Sequence, residues 1–171
     1  MISLIKESLW KQSGASMDML KHAIELFPED DGDFYKKLFY NAYHCLLFLD
    51  YYLCFPPESF VSPLPFTIAA PTDDKGGAVD DLIPDRIYTK QELLDYLQQS
   101  REKCRLLIAG LTEEAIHTRW IEKGSGRNFG ITELLLYNMR HVQHHAAQLN
   151  LLLRQNLNKA PWWVSSAEDP L

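Results

Sequence analysis

The stretch NMRHVQHHAAQL, residues 138–149, places three of the six histidines of this chain within five positions. In a helix each residue advances by about 100°, so His141 and His145 lie about 40° apart on one face and one turn from each other. His145 lies at the edge of the apolar stripe of this stretch, whereas His144 lies on its far side. We therefore predict that His141 and His145 point inward as an HxxxH pair, with His144 at the rim.

The HxxxH spacing leaves two interpretations open. The pair is either two metal ligands or two polar residues at the edge of a core, and the spacing by itself favours neither. Position 142 is a valine, not the glutamate that supplies the general base in HExxH metalloproteases, so that class of enzyme is excluded.

A metal site built on two histidines of one helix needs a further ligand from elsewhere. His44 lies in FYNAYHCLLFLDYYL, residues 39–53, the most apolar part of the chain, where an unpaired imidazole is costly. It is the expected third ligand. Three neutral imidazoles suit Zn²⁺, Ni²⁺ or Fe²⁺ and leave a coordination position open. His22, near a helix end, and His117, in a charged loop, are expected to have no role in the site.

Four segments carry helical periodicity, and none shows a convincing strand-like alternation. The predicted helices span about residues 3–27, 33–55, 89–110 and 132–156, and the third begins at a capping box of Thr89 and Glu92. They predict an all-α protein, a four-helix bundle of the up-down type, in a single domain of residues 1–171.

A long, proline-rich connection joins the second and third helices over residues 56–88. Connections of this length are usually covers of functional sites or mobile segments. A C-terminal tail of residues 158–171 follows the last helix, and it contains Trp162 and Trp163. These tryptophans either cap the mouth of the site, lie in a subunit interface or close the end of the bundle.

Composition and charge exclude several functions. The net charge is -6, from 23 acidic and 17 basic residues, so the basic surface that nucleic-acid binding requires is missing. The longest apolar stretch, residues 45–55, is far too short to span a bilayer, and the N terminus lacks a secretory signal pattern. Cys45, Cys54 and Cys104 have no metal-binding spacing. We expect a cytoplasmic protein with free core thiols, without a membrane or nucleic-acid partner.

The lone histidine of the second helix and HVQHHAAQL near the end of the chain together resemble the DinB/YfiT-like superfamily. Its members typically place one histidine on the second helix and an HxxxH pair, often followed by glutamine three residues later, on a late helix. These positions are occupied here by His44, His141, His145 and Gln148. The resemblance spans about residues 3–156 and implies a four-helix bundle, commonly a homodimer, that binds a divalent metal through the three histidines.

The better understood members of this superfamily are metal-assisted transferases and isomerases that use low-molecular-weight thiols such as bacillithiol or mycothiol. This chain departs from the common pattern in its proline-rich connection and in Ala147, where a glycine often precedes the glutamine. We expect a divalent-metal-dependent enzyme acting on a small-molecule substrate. It would be a thiol-dependent S-transferase or a hydrolase in which the ion activates a bound thiol or water.

Further side chains are candidates around this centre. Gln148 is expected to orient a substrate or a coordinating imidazole, and the pocket-lining candidates are Tyr40, Tyr43 and Tyr137. The glycine-rich stretch GSGRNFG, residues 124–130, lacks the pattern of a phosphate-binding loop and is predicted to be a turn.

A competing hypothesis assigns the chain to another class. It is a non-catalytic helical module whose histidines bind metal structurally or not at all and whose function is the binding of a protein partner. A structural ion is coordinatively closed, whereas a catalytic ion keeps an exchangeable position.

Overall fold

The computed structural model describes residues 2–29, 32–68 and 82–171 of the chain. The helices are α1 (Ile2–Glu25), α2 (Asp33–Tyr51), α3 (Lys90–Ala109) and α4 (Ile131–Leu157). They correspond to the four predicted helices. The centre of the predicted proline-rich connection, residues 69–81, lies outside the described residues.

Two short antiparallel sheets accompany the helices. In the first, β1 (Phe66–Ile68) pairs with β2 (Leu82–Pro84), and in the second, β3 (Arg119–Glu122) pairs with β4 (Arg127–Gly130). The predicted all-α class therefore holds for the main elements, and the two small sheets are an addition to it. Strands of three or four residues are too short to show an alternation that can be told from chance. Single 3-10 turns lie at Pro57–Ser59 and Ala115–His117.

The hairpin of β3 and β4 includes the glycine-rich stretch. Its turn covers residues 123–126 and ends at Gly126, whose φ of 72° lies in the left-handed region that favours glycine. The predicted turn is confirmed for the first part of GSGRNFG, while the second part forms β4.

The helices pack so that α1 and α2 each contact both α3 and α4. Near the start of α2, the Tyr35 hydroxyl donates to the Tyr88 carbonyl just before α3, at 2.9 Å. Near the end of α2, Asp50 pairs with Lys103 in the second half of α3. The two helices therefore run parallel, which corrects the predicted up-down order. The long connection makes this possible because it returns the chain to the other end of the bundle.

Local sequence sets the helix ends. At the start of α3, Thr89 Oγ1 accepts from the Glu92 N–H at 3.2 Å, and the Thr89 N–H donates to the Glu92 carboxylate at 2.8 Å. This is the predicted capping box. α2 ends at Tyr51, before the predicted boundary at Phe55, because the chain tightens into a turn in which the Cys54 N–H donates to the Tyr51 carbonyl.

One large apolar cluster draws residues from all four helices. Its fully buried members include Trp10, Phe39, Tyr43 and Tyr96. The cysteines are buried and unpaired, in agreement with the predicted free thiols. None of the described helices has the length and apolar content needed to cross a membrane.

Candidate metal centre

The centre lies where α2 and α4 pack side by side in opposite directions. Asn138 of α4 donates through Nδ2 to the Leu49 carbonyl of α2 at 2.9 Å, which fixes the register of the two helices. In this register His44 faces His141 and His145. In the described part of the chain, these three residues form the one group of three histidine, cysteine or acidic side chains that could hold an ion.

The three imidazoles converge closely. His44 Nε2 and His141 Nε2 are 3.5 Å apart, and the potential ligand atoms of the triad all lie within 4.8 Å of one another. Two nitrogen ligands on a tetrahedral Zn²⁺ are about 3.4 Å apart, given Zn–N bonds of roughly 2.0–2.1 Å. The His44–His141 distance fits this geometry.

Burial keeps these imidazoles neutral. It lowers the pKa of His44. Burial, followed by repulsion from the neighbouring histidines, lowers the pKa of His141 to about 3. The same two causes lower the pKa of His145 to about 4, although hydrogen bonding to Gln148 acts in the opposite direction. At neutral pH each ring therefore keeps a lone pair available for a metal ion.

The hydrogen bonding of the triad is incomplete without a further group. The Nδ1 atoms of His44, His141 and His145 are buried and have no hydrogen-bond partner. Buried polar atoms in native proteins are usually paired, and three imidazoles placed together in an apolar site are costly unless they bind something. An ion bound at the Nε2 atoms would leave these Nδ1 atoms unpaired, so the fit to a divalent metal ion rests on the convergence of three neutral imidazoles.

Gln148 lies one turn beyond His145 and is held from the opposite helix. Asn41 Nδ2, on α2, donates to Gln148 Oε1 at 3.0 Å. Asn41 was not predicted from the sequence, although it stands three residues before His44, the separation that brings side chains together on a helix surface. The pair forms a bridge between α2 and α4 beside the triad.

Aromatic rings form the wall on the other side of the centre. The Phe48 ring lies 4.8 Å from the His44 ring and 5.9 Å from the His141 ring, between centroids. The Tyr52 ring lies 6.2 Å from that of His141, and the Tyr52 and Tyr137 hydroxyls are 3.5 Å apart. Burial, with the hydrogen bond to Tyr137, raises the pKa of Tyr52, so its phenol stays protonated.

A surface cavity of about 840 Å³ lies next to this wall along α4. Tyr137 belongs to the aromatic wall and to the cavity, since it lines the cavity and its hydroxyl contacts that of Tyr52. Phe129 of β4 stacks on Tyr137 with a centroid distance of 5.4 Å and also lines the cavity. None of the three histidines is among its lining residues, so the cavity lies beside the centre and does not open onto it.

The other predicted candidates lie further from the triad. His144 is exposed, and its ring is 5.2 Å from that of His145, which places it at the rim. Tyr40 is 47% exposed and packs against Phe39. Tyr43 is a core residue whose hydroxyl donates to the Leu64 carbonyl at 2.7 Å, so it does not line the site.

The remaining histidines and the tail tryptophans do not join the cluster. His117 is exposed, and His22 is half-buried in a surface cavity that Trp162 and Trp163 also line. These tryptophans are 91% and 71% exposed, so they do not close the bundle by burial.

Comparison with known proteins gives one family. The model of the DinB superfamily matches residues 38–149, a segment that contains the histidine triad and Gln148. No curated protein and no solved structure matched the chain.

Proposed function

Because this chain belongs to the DinB superfamily, we propose that it is a divalent-metal-dependent enzyme whose ion is held by His44, His141 and His145. The observation that carries the proposal is the convergence of three neutral imidazoles from two helices, two of them buried and that of His141 half-buried. Such a donor set suits Zn²⁺, Ni²⁺ or Fe²⁺ and leaves at least one coordination position for a substrate.

The proposed reaction is the transfer of a low-molecular-weight thiol or a hydrolysis. When bound, the ion lowers the pKa of a coordinated thiol or water and so supplies a nucleophile at neutral pH.

The surrounding side chains orient the centre and exclude water from it. Asn41 holds Gln148, which contacts His145 and limits the rotation of that ring. Phe48 covers the rings of His44 and His141. Tyr52 keeps its proton and is placed to donate a hydrogen bond to an oxygen or sulfur atom near His141.

The metal content of the purified protein tests the site. We expect about one equivalent of Zn, Ni or Fe per chain, because three ligands define one site, in protein prepared without a histidine tag. His44→Ala removes a ligand and should abolish this content. His144→Ala is the matched control, since it removes an exposed neighbour of the triad and should retain the metal. Absence of metal from the wild type after reconstitution with each ion would refute the site.

The spectrum of cobalt-substituted protein separates the enzyme from a non-catalytic module. A centre with an exchangeable position should change its visible absorption when small thiols are added, whereas a closed structural centre should not. Insensitivity to every thiol and anion tried would favour the non-catalytic helical metal-binding or protein-interaction module.

The proposal includes a homodimer located in the cytoplasm. The exposed Trp162 and Trp163 are the apolar side chains that support a subunit interface, and the unpaired cysteines support a reducing compartment. Light scattering at micromolar concentration should give twice the mass of the chain, and Trp162→Ala should shift the mass towards the monomer. A monomeric wild type would refute the dimer.

A further inference from the structure

A second polar cluster joins the end of α2 to α3, away from the histidine triad. Asp50 is buried, and its carboxylate accepts hydrogen bonds from Tyr96 at 3.1 Å and from the ammonium group of Lys103. The same ammonium group donates to Cys54 Sγ at 2.8 Å. Lys103 therefore links a buried carboxylate and a buried thiol.

The contact between Lys103 and Cys54 is unusually close. A distance of 2.8 Å is typical of an N–H···O bond, although a sulfur atom is larger than an oxygen atom. Two features hold the atoms there. The Asp50 carboxylate fixes the nitrogen, and the Trp120 indole donates to the Cys54 carbonyl at 3.0 Å, which fixes the backbone that carries the sulfur.

A cavity of about 240 Å³ lies against the carboxylate and the amine of this cluster. Lys103, Asp50, Tyr96 and Ser100 are among its lining residues. The Lys103 side chain is 37% exposed, and the buried Ser100 Oγ has no hydrogen-bond partner. A molecule the size of hydrogen peroxide can therefore enter and find polar groups next to the Lys103–Cys54 contact.

We propose that Cys54 and Lys103 form an oxidation site, at which peroxide joins Sγ and Nζ through one oxygen atom. A single oxygen atom can bridge the two with little movement of either, because they are already closer than an ordinary sulfur contact. The product is an N–O–S cross-link between the residue just beyond α2 and the middle of α3.

The reaction balances with hydrogen peroxide as the oxidant. The ammonium group of Lys103, the thiol of Cys54 and two molecules of hydrogen peroxide give the N–O–S bridge, three molecules of water and one proton. One S–H bond and two N–H bonds break, and one S–O bond and one N–O bond form. Sulfur and nitrogen each lose two electrons, and the two peroxide molecules accept these four electrons, so that three of their oxygen atoms leave as water and the fourth forms the bridge. A thiol in the presence of peroxide ordinarily enters this path as a sulfenic acid.

Formation of the bridge changes the local electrostatics as well as the connectivity. It removes the positive charge that neutralises Asp50, and it ties α2 covalently to α3. A dithiol that cleaves the S–O bond would separate the two helices again and restore the Cys54 thiol, while the oxygen would stay on the Lys103 nitrogen as a hydroxylamine.

The other two cysteines provide an internal comparison. Burial raises the pKa of Cys104 to about 12 and raises that of Cys45 still further. Neither forms a hydrogen bond with an amine within the described chain. Both should remain unmodified under conditions that oxidise Cys54.

Mass spectrometry of the peroxide-treated full-length protein tests the proposal. The protein is first treated with a chelator to remove metal ions. It is then exposed to hydrogen peroxide, unfolded, alkylated and digested. We expect peptides containing Cys54 and Lys103 to be joined, with the combined mass increased by one oxygen atom and decreased by two hydrogen atoms. Dithiothreitol should release both peptides, and Cys45 and Cys104 should be recovered alkylated.

Two variants assign the cross-link to these atoms. Lys103→Arg keeps a cation for Asp50 but lacks the primary amine, and Cys54→Ser lacks the sulfur, so both should lose the joined peptide. The wild-type measurement is decisive even where a variant fails to fold. Recovery of alkylated Cys54 after peroxide, its isolation as sulfenic acid alone, or a link without the added oxygen would each overturn the proposal.

Discussion

Asn41 ties together the two helices that supply the proposed histidine ligands, and it does so through Gln148. The contact lies next to His145, one of the three proposed ligands. An amide that restricts the rotation of this ring lowers the entropic cost of binding the ion. Asn41 is therefore expected to affect metal affinity without touching the metal.

Asn41→Ala should weaken metal binding roughly 10- to 100-fold, the usual effect of losing a residue that orients a ligand. Gln143→Ala is the control, because it removes an amide from α4, the helix of His141 and His145, on a face away from the triad. Competition with a chromophoric zinc chelator gives the affinities. Equal affinities for Asn41→Ala and wild type would show that Gln148 needs no support from α2.

For single residues, the sequence predicted the positions of the histidines better than those of the aromatic residues around them. Helical periodicity places His141 and His145 on the inward face and His144 at the rim, and the structure agrees. Periodicity could not separate Tyr43, a core residue, from Tyr137, a residue of the aromatic wall. That distinction depends on which neighbouring helix each ring meets, and this is set by tertiary packing.

Among the helices, α3 has the most completely defined start, and its capping box offers a test of stability. The Glu92 carboxylate accepts hydrogen bonds from the Arg86 guanidinium and from the Thr89 N–H. The Arg86 hydrogen bond, followed by the Thr89 backbone hydrogen bond, lowers the pKa of Glu92 from its ordinary value of 4.5 to about 2. Ionised Glu92 therefore stabilises the folded protein.

Thr89→Ala should lower the free energy of unfolding by about 1 kcal/mol, the usual cost of losing a helix cap. Glu92→Gln should be destabilising near neutral pH. A carboxyl group whose pKa is lowered by folding stabilises the folded protein at pH values above its ordinary pKa. This contribution is lost as the pH falls towards the pKa of the group in the folded protein. The difference between Glu92→Gln and wild type should therefore shrink between pH 4.5 and about 2.

Urea denaturation at a series of pH values measures both effects. Glu113→Gln, a substitution in an exposed loop, serves as the control and should leave stability unchanged at every pH. A difference between Glu92→Gln and wild type that stays constant down to pH 2 would contradict the assigned role of the carboxylate.

The elements that the sequence did not predict share a physical cause. The direction of α3 depends on the path of the connection before it, and no local pattern encodes that path. The hairpin of β3 and β4 is stabilised by packing, since the Trp120 ring contacts those of Tyr51, Tyr52 and Phe129. Helices, in contrast, carry their own periodicity and caps, and these were sufficient to predict α1 to α4.

In the molecule as a whole, the C-terminal tail lies across α1 and α3 and contacts both helices. The Trp10 indole donates to the Asp169 carbonyl at 2.9 Å, and the Ala167 N–H donates to the Lys11 carbonyl at 2.9 Å. Arg101 of α3 forms ion pairs with Asp169 of the tail and with Asp18 of α1. The sequence predicted a tail after α4 but gave no sign of these contacts, because they join residues at opposite ends of the chain.

Gly14 allows this close approach of the tail. A Cβ atom added at Gly14 would lie 2.6 Å from Ala167 Cβ, a distance that requires the tail or the helix to move. In a helix interior, replacing glycine by alanine ordinarily stabilises by about 0.5–1 kcal/mol. Here the steric overlap should outweigh this gain, since overpacking typically costs about 1–3 kcal/mol.

Gly14→Ala should therefore lower the free energy of unfolding or leave it near that of wild type, instead of raising it. Ala167→Gly removes the opposing methyl group, so the double variant should recover the helical gain. Urea denaturation of the wild type, both single variants and the double variant gives the coupling energy between the two sites, expected to be about 1–2 kcal/mol. Additive effects would show that the tail does not lie against Gly14 in solution, because residues that do not touch do not couple.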